Sequence, residues 1–117
     1  MSGPTQGLLA DRVIHFAFNS SVIGGHGMKV VAAHAAYLVA HPNARVRLEG
    51  YTDDRGSPEY NIGLGMRRAQ SVRQAMLLQG VSPSQITVVS YGEEDPVDPA
   101  NNRVAWAENR RVHIVYL

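Results

Sequence analysis

Arg45-Val46-Arg47-Leu48-Glu49-Gly50-Tyr51 runs through Thr52-Asp53-Asp54-Arg55-Gly56 into Ser57-Pro58-Glu59-Tyr60-Asn61-Ile62-Gly63-Leu64-Gly65-Met66-Arg67-Arg68. The first seven residues alternate. Val46, Leu48 and Gly50 face one way; Arg45, Arg47, Glu49 and Tyr51 face the other, which predicts a strand with one wet face. Ser57-Pro58 is a helix start, because serine caps an orphan N–H and proline loses nothing at the first helical position. The spacing predicts a helix from there to about Gln79, stopped by Gly80. Its expected apolar stripe is Ile62, Met66, Ala69, Val72 and Met76.

Outward from this strand–loop–helix unit the pattern repeats. Val13 to Phe18 reads as a strand, with Val13, His15 and Ala17 on one face and Ile14, Phe16 and Phe18 on the other. Met28 to His41 reads as a helix, with Val31, Ala35, Leu38 and Val39 at helical spacing and Pro42 as the stop. Ser82-Pro83 begins a short turn, Ile86 to Tyr91 is a third strand, and Gly92 to about Asn109 is a long polar connection. Arg110 to Leu117 closes as a fourth strand, Val112, Ile114 and Tyr116 alternating against Arg111, His113 and Val115. The order β-α-β-α-β-β predicts an α/β (α+β) two-layer sandwich on a mixed four-stranded sheet. Residues 1–12 read as a loose leader and 13–117 as one domain.

Composition narrows the chemistry. The 117 residues carry a net charge of +1, which makes no electrostatic case for nucleic acid. Cysteine is absent, which removes disulfides, thiolate metal sites and a cysteine nucleophile. No apolar run approaches the roughly 20 residues that span a bilayer. Gly24, Gly25 and Gly27 lack the spacing of a phosphate loop and read as a turn. His34 and His41 share a helix face without a third ligand, so no metal site is expected. No nucleophile elbow or paired acid and base marks a hydrolase.

The charges around the central loop point to a ligand. Asp53 closes the strand, and Arg68 lies ten residues past Pro58, about 15 Å along the helix. Helical side chains lean toward the N-terminus, so a long arginine reaches back toward the strand end. Asn61, Leu64 and Arg68 share one face, offset from the expected apolar stripe. An anion and a cation so placed suit a zwitterion. The alternative is a plain ion pair of Asp53 or Asp54 with Arg67 or Arg68, contributing about 0–1 kcal/mol. Around Trp106, the run Asn109-Arg110-Arg111 is either a solvated strand entrance or a rim that shapes the loop.

The motif from Gly50 to Asn61, with Leu64-Gly65-Met66-Arg67-Arg68-Ala69-Gln70-Ser71-Val72, resembles the OmpA-like peptidoglycan-binding family, closest to its peptidoglycan-associated lipoprotein branch. His15-Phe16-Ala17-Phe18-Asn19-Ser20, Val89 to Pro96 and Ala105 to Val112 extend the resemblance over nearly the whole chain. It implies a non-catalytic periplasmic domain that binds the wall stem peptide and tethers the outer membrane. Matched residue by residue, Asp53 and Arg68 would hold the amino and carboxylate ends of meso-diaminopimelate. Asn61 and Leu64 would order the loop and floor the site, Phe16 would stand beside the ligand, and Thr52 completes the ligand-binding set. A β-propeller protein of the Tol system is an implied partner, and no cofactor is expected. A porin or flagellar motor stator would carry the same wall-anchoring domain, and a chiefly Tol-system adaptor is a further alternative. No lipid-attachment cysteine occurs, so an anchor is expected on another segment or by another route. The family often has aspartate at Ala17, histidine at Tyr51 and serine at Gly65. Whether Ala17 weakens the site depends on whether side chain or backbone acts there.

Overall fold

The computed structural model describes residues 3–117. Its strands are β1 (Val13–His15), β2 (Val46–Tyr51), β3 (Ile86–Gly92) and β4 (Arg111–Tyr116); its helices are α1 (Gly25–Ala40), α2 (Pro58–Leu78) and α3 (Arg103–Asn109). The sheet order is β1-β4-β2-β3. β2 pairs with β3 in parallel, while β4 lies antiparallel to both β1 and β2. This is the mixed four-stranded α+β sandwich expected from the pattern. Ile14, Leu48, Val112 and Ile114 from the strands meet Val31, Leu38, Val72 and Met76 from α1 and α2 in one core.

β2 and α2 pack backbone to backbone. A Cβ at Gly50 would stand 1.9 Å from the Gly65 carbonyl oxygen, so the strand has no room for a side chain at this crossing. A bulge between Gly50 and Tyr51 then re-aims the strand end, and the Thr52 N–H donates to Gly92 O at 2.8 Å. This fixes where the loop leaves the sheet.

Several expectations are corrected. β1 stops at His15 because the chain turns, with Asn19 at φ 51° and the Ser20 N–H donating to Ala17 O at 3.2 Å. Phe18 therefore leaves the core face and is 59% exposed. In α1 the buried stripe is Val30, Val31, His34, Ala35 and Leu38, whereas Val39 faces out. In α2 Ile62 is exposed and Met66 half-buried; Asn61, Leu64, Gly65 and Arg68 are buried with Ala69, Val72 and Met76. The polar–apolar–cationic line is therefore part of the buried face, not offset from it.

The wet face of β2 is also half covered. Tyr51 donates to Glu49 at 3.0 Å, and the Arg111 guanidinium lies 3.7 Å from the centre of the Tyr51 ring. Arg111 also donates to Asp95 O at 3.2 Å, which brings the connection after β3 over the sheet. That connection contains α3, capped by Asn102 accepting from the Ala105 N–H at 2.9 Å. Only Ala105 and Asn109 of α3 are buried, too few to print a period. The segment before β1 holds a 3₁₀ turn at Gly7–Ala10, and Arg12 is buried with its guanidinium 4.5 Å from the Tyr116 ring.

His34 is the buried histidine of α1. Its Nε2–H donates to Asp11 O at 2.8 Å, so Nδ1 carries no proton and accepts from the Tyr116 hydroxyl at 2.6 Å. Burial lowers its pKa below the ordinary 6.5; the Asp11 carbonyl bond opposes that and the Arg12 charge reinforces it. The unfolded histidine thus takes up a proton before the folded one does. Its contribution is complete above pH 6.5 and is lost as pH falls through the lowered folded value. Urea unfolding at pH 7.5 and pH 5.5 is expected to show lower stability at pH 5.5, and His34→Gln to flatten the difference. His113, lowered chiefly by burial, leaves a residual slope of the same sign. An unchanged slope in His34→Gln rules the assignment out.

Candidate functional site

The site forms where β2 ends, α2 begins and the turn after β1 crosses them. Ser57 caps α2 by accepting from the Tyr60 N–H at 3.1 Å, so the helix starts directly after the loop. Asn61, one turn in, donates through Nδ2 to Arg55 O at 3.1 Å and Glu93 Oε1 at 2.9 Å. It thereby binds the loop to α2 and to the end of β3.

Arg68 is 0% exposed. It donates from Nε to Ser20 O at 2.8 Å, from Nη1 to Tyr51 O at 3.0 Å and from Nη2 to Ala17 O at 3.2 Å. These bonds join the turn after β1 to the strand end. Position 17 meets Arg68 through its backbone carbonyl, a contact that does not depend on the Ala17 side chain. Five guanidinium N–H groups leave donors beyond these three. Among the described residues no carboxylate stands within ion-pairing distance of Arg68. Burial, reinforced by the Arg110 charge, lowers its pKa to about 10, which leaves it cationic at neutral pH.

Asp53 is 4% exposed and fully engaged. Its Oδ1 accepts from the Arg55 backbone N–H at 3.0 Å and Nε at 3.2 Å; its Oδ2 accepts from Arg55 Nη2 at 2.9 Å. Arg110 Nη1 is 3.5 Å from the same Oδ2. Burial works to raise the carboxyl, but the Arg55 bonds and then Arg110 outweigh it and hold Asp53 below the usual carboxylate value. The alternative ion pair of Asp53 or Asp54 with Arg67 or Arg68 is not formed.

A cavity of about 300 Å³ opens between these groups, lined by Thr52, Asp53, Tyr60, Leu64, Arg68 and Phe18 among others. Five of the six residues singled out in the sequence, Thr52, Asp53, Asn61, Leu64 and Arg68, line it. Phe16 does not. Its ring backs the Arg68 guanidinium at 5.4 Å, and Phe18 is the aromatic wall instead. Sequence reasoning missed Arg55, Phe18 and Tyr60. The signal for Arg55 was its place two residues after Asp53, the spacing at which a carboxylate bonds a backbone N–H. Trp106 stands at the rim, its ring 4.0 Å from the Arg55 guanidinium. The arrangement is a small cavity with a buried cation on one side and a carboxylate on the other.

Comparison with known proteins places the chain among relatives of the same fold. The chain is 48% identical over 107 residues to the peptidoglycan-associated lipoprotein of Pseudomonas putida, covering 92% of this chain and 64% of that one. To the protein of the same name from Legionella pneumophila it is 46% identical, covering 86% of this chain and 57% of the relative. The chain thus spans less than two thirds of the length of both. The crystal structure of the peptidoglycan-associated lipoprotein from Burkholderia pseudomallei superposes with a TM-score of 0.94 at 39% identity, covering 97% and 96% of the two chains. The C-terminal domain of Helicobacter pylori MotB superposes at 0.82 with 25% identity, covering 92% of this chain and 84% of that one. Residues 15–110 match the OmpA family, and the chain belongs to that family.

Proposed function

We propose that this domain binds the peptidoglycan stem peptide without covalent chemistry, through meso-diaminopimelate, and tethers the outer membrane to the cell wall. The observation that carries the reading is Arg68, a fully buried cation with free donors, no carboxylate partner among the described residues and a cavity in front of it. A buried charge without a counter-ion is costly, and a ligand carboxylate in that cavity removes the cost. The ligand ammonium takes the opposite side. Asp53 Oδ1 already accepts twice, whereas Oδ2 accepts once, from Arg55 Nη2, and has one long contact, to Arg110, that an ammonium replaces. The relatives' name, peptidoglycan-associated lipoprotein, supports the same ligand class. Their greater identity favours that type of envelope protein over a porin or motor stator, both of which would use the same site. A periplasmic place at the outer membrane and a Tol-system β-propeller partner belong to this proposal.

Titration calorimetry with two tripeptides tests it. One carries meso-diaminopimelate at its third residue; the other carries lysine, which keeps the amine and lacks the second carboxylate. The loss of one or two charge-assisted hydrogen bonds, about 1.5–3 kcal/mol each, predicts at least about a tenfold preference for diaminopimelate. Equal affinity for the two peptides sinks the proposal.

A further inference from the structure

Arg55 separates two cavities. On one side is the Asp53–Arg68 cavity; on the other, a cavity of about 280 Å³ is lined by Phe18, Arg55, Arg103, Trp106 and Arg110. Phe18 and Arg55 belong to both. The Arg55 guanidinium lies between two rings, 4.1 Å from the centre of Phe18 and 4.0 Å from that of Trp106. Stacking covers its faces and leaves only its edges for hydrogen bonding. The Nε–Nη2 edge is taken by Asp53. The Nη1–Nη2 edge has no acceptor among the described residues.

The other two arginines add charge without adding an anion. Arg110 donates from Nε to Phe16 O at 2.8 Å, and its one ion-pair approach among the described residues is the 3.5 Å one to Asp53. Arg103 is exposed at the rim, and among the described residues its side chain has no hydrogen bond or ion pair. Three guanidiniums therefore line one cavity; Asp53 is already shared by two of them, and Asp54 adds only a longer-range charge felt at Arg55. Like charges held together repel, so fold stability does not account for the placement.

The geometry points to a second anion subsite here, for another carboxylate of the same acidic peptide, borne outside its diaminopimelate residue. This rests on the proposed function. A peptide seated in the inner cavity reaches the outer one by passing the shared wall of Phe18 and Arg55. The free guanidinium fork offers a planar, bidentate partner to a carboxylate. Arg103 and Arg110 supply charge around it, and Trp106 supplies an apolar wall for the carbon stem.

The test titrates the wild-type domain and Arg103→Gln with two peptides. One is L-alanyl-γ-D-glutamyl-meso-diaminopimelate; the other is identical except that the glutamyl α-carboxylate is a carboxamide. Wild type is expected to lose about tenfold in affinity on amidation, the size of one charge-assisted hydrogen bond. Arg103→Gln is expected to narrow that difference to less than about threefold, binding the amide as wild type does. If wild type binds both peptides equally, the second subsite is overturned and the diaminopimelate reading stands. Undiminished discrimination in Arg103→Gln overturns the placement in this cavity. If wild type binds neither peptide, both readings fall together.

Discussion

Arg68→Ala is expected to abolish measurable binding of the diaminopimelate peptide, raising Kd by about 100-fold or more. The magnitude follows from a guanidinium that meets a ligand carboxylate out of water, where two charge-assisted bonds contribute about 1.5–3 kcal/mol each. The same variant is expected to lose stability, because Arg68 also ties Ala17 O, Ser20 O and Tyr51 O together. Two effects oppose. Removing the arginine releases an uncompensated buried charge, which favours the variant. It also leaves three carbonyls without a donor, although the adjoining cavity admits water to them. We expect a net loss of about 1–3 kcal/mol, read from urea unfolding. Arg68→Lys separates the two roles. Lysine keeps the charge but is a point donor, so it does not serve three carbonyls and a ligand at once. It is expected to retain more stability than alanine and still bind at least about tenfold more weakly than wild type. A folded Arg68→Ala that binds within threefold of wild type removes Arg68 from the site.

How much of this was legible before the structure depends on which physical signal a residue leaves. The strand–loop–helix unit around Asp53 was legible because alternation, a serine cap and a first-turn proline all agree. The face of α2 was misjudged because hydrophobicity stands in for burial only where burial is apolar. Asn61 and Arg68 are buried by hydrogen bonding to backbone carbonyls, which leaves no apolar mark, while Ile62 is apolar and exposed. Phe18 was misplaced for a different reason. Alternation continued on paper through Ala17 and Phe18, but the turn at Asn19 had already taken the chain off the sheet. The pairing of Asp53 was also hidden. The charge pattern correctly marked Asp53 and Arg68 as neighbours of one cavity, yet it could not show that Arg55, held between Phe18 and Trp106, already occupies the carboxylate. The third of these residues lies about fifty positions away on α3, a helix too short to show a period.

Gly50→Ala is expected to be the most destabilising single-methyl change in the domain. The added Cβ would stand 1.9 Å from the Gly65 carbonyl oxygen and 2.6 Å from its carbonyl carbon. Both are backbone atoms, so no rotamer change relieves the clash; β2 and α2 must move apart. Overpacking of a core typically costs about 1–3 kcal/mol, and an obstacle made of backbone places this variant at about 3 kcal/mol or more. For a chain of this size that lowers Tm by roughly 10 °C or more. Gly65→Ala is expected to cost less. Its Cβ meets the Ser90 hydroxyl at 2.3 Å, which can rotate, and Gly50 O at 3.0 Å. Gly25→Ala, which meets nothing within 4 Å at the start of α1, is expected to be neutral or slightly stabilising. The ordering ties packing to function, because β2 leads into Asp53 while α2 carries Arg68. A helix lifted from the strand at Gly50 moves the cation away from the carboxylate, so Gly50→Ala is expected to weaken peptide binding even below its melting temperature. Gly25→Ala keeps wild-type affinity. Thermal unfolding and calorimetry on the three variants decide the matter: equal Tm for Gly50→Ala and Gly25→Ala would mean that the close crossing of β2 and α2 does not set the geometry of the site.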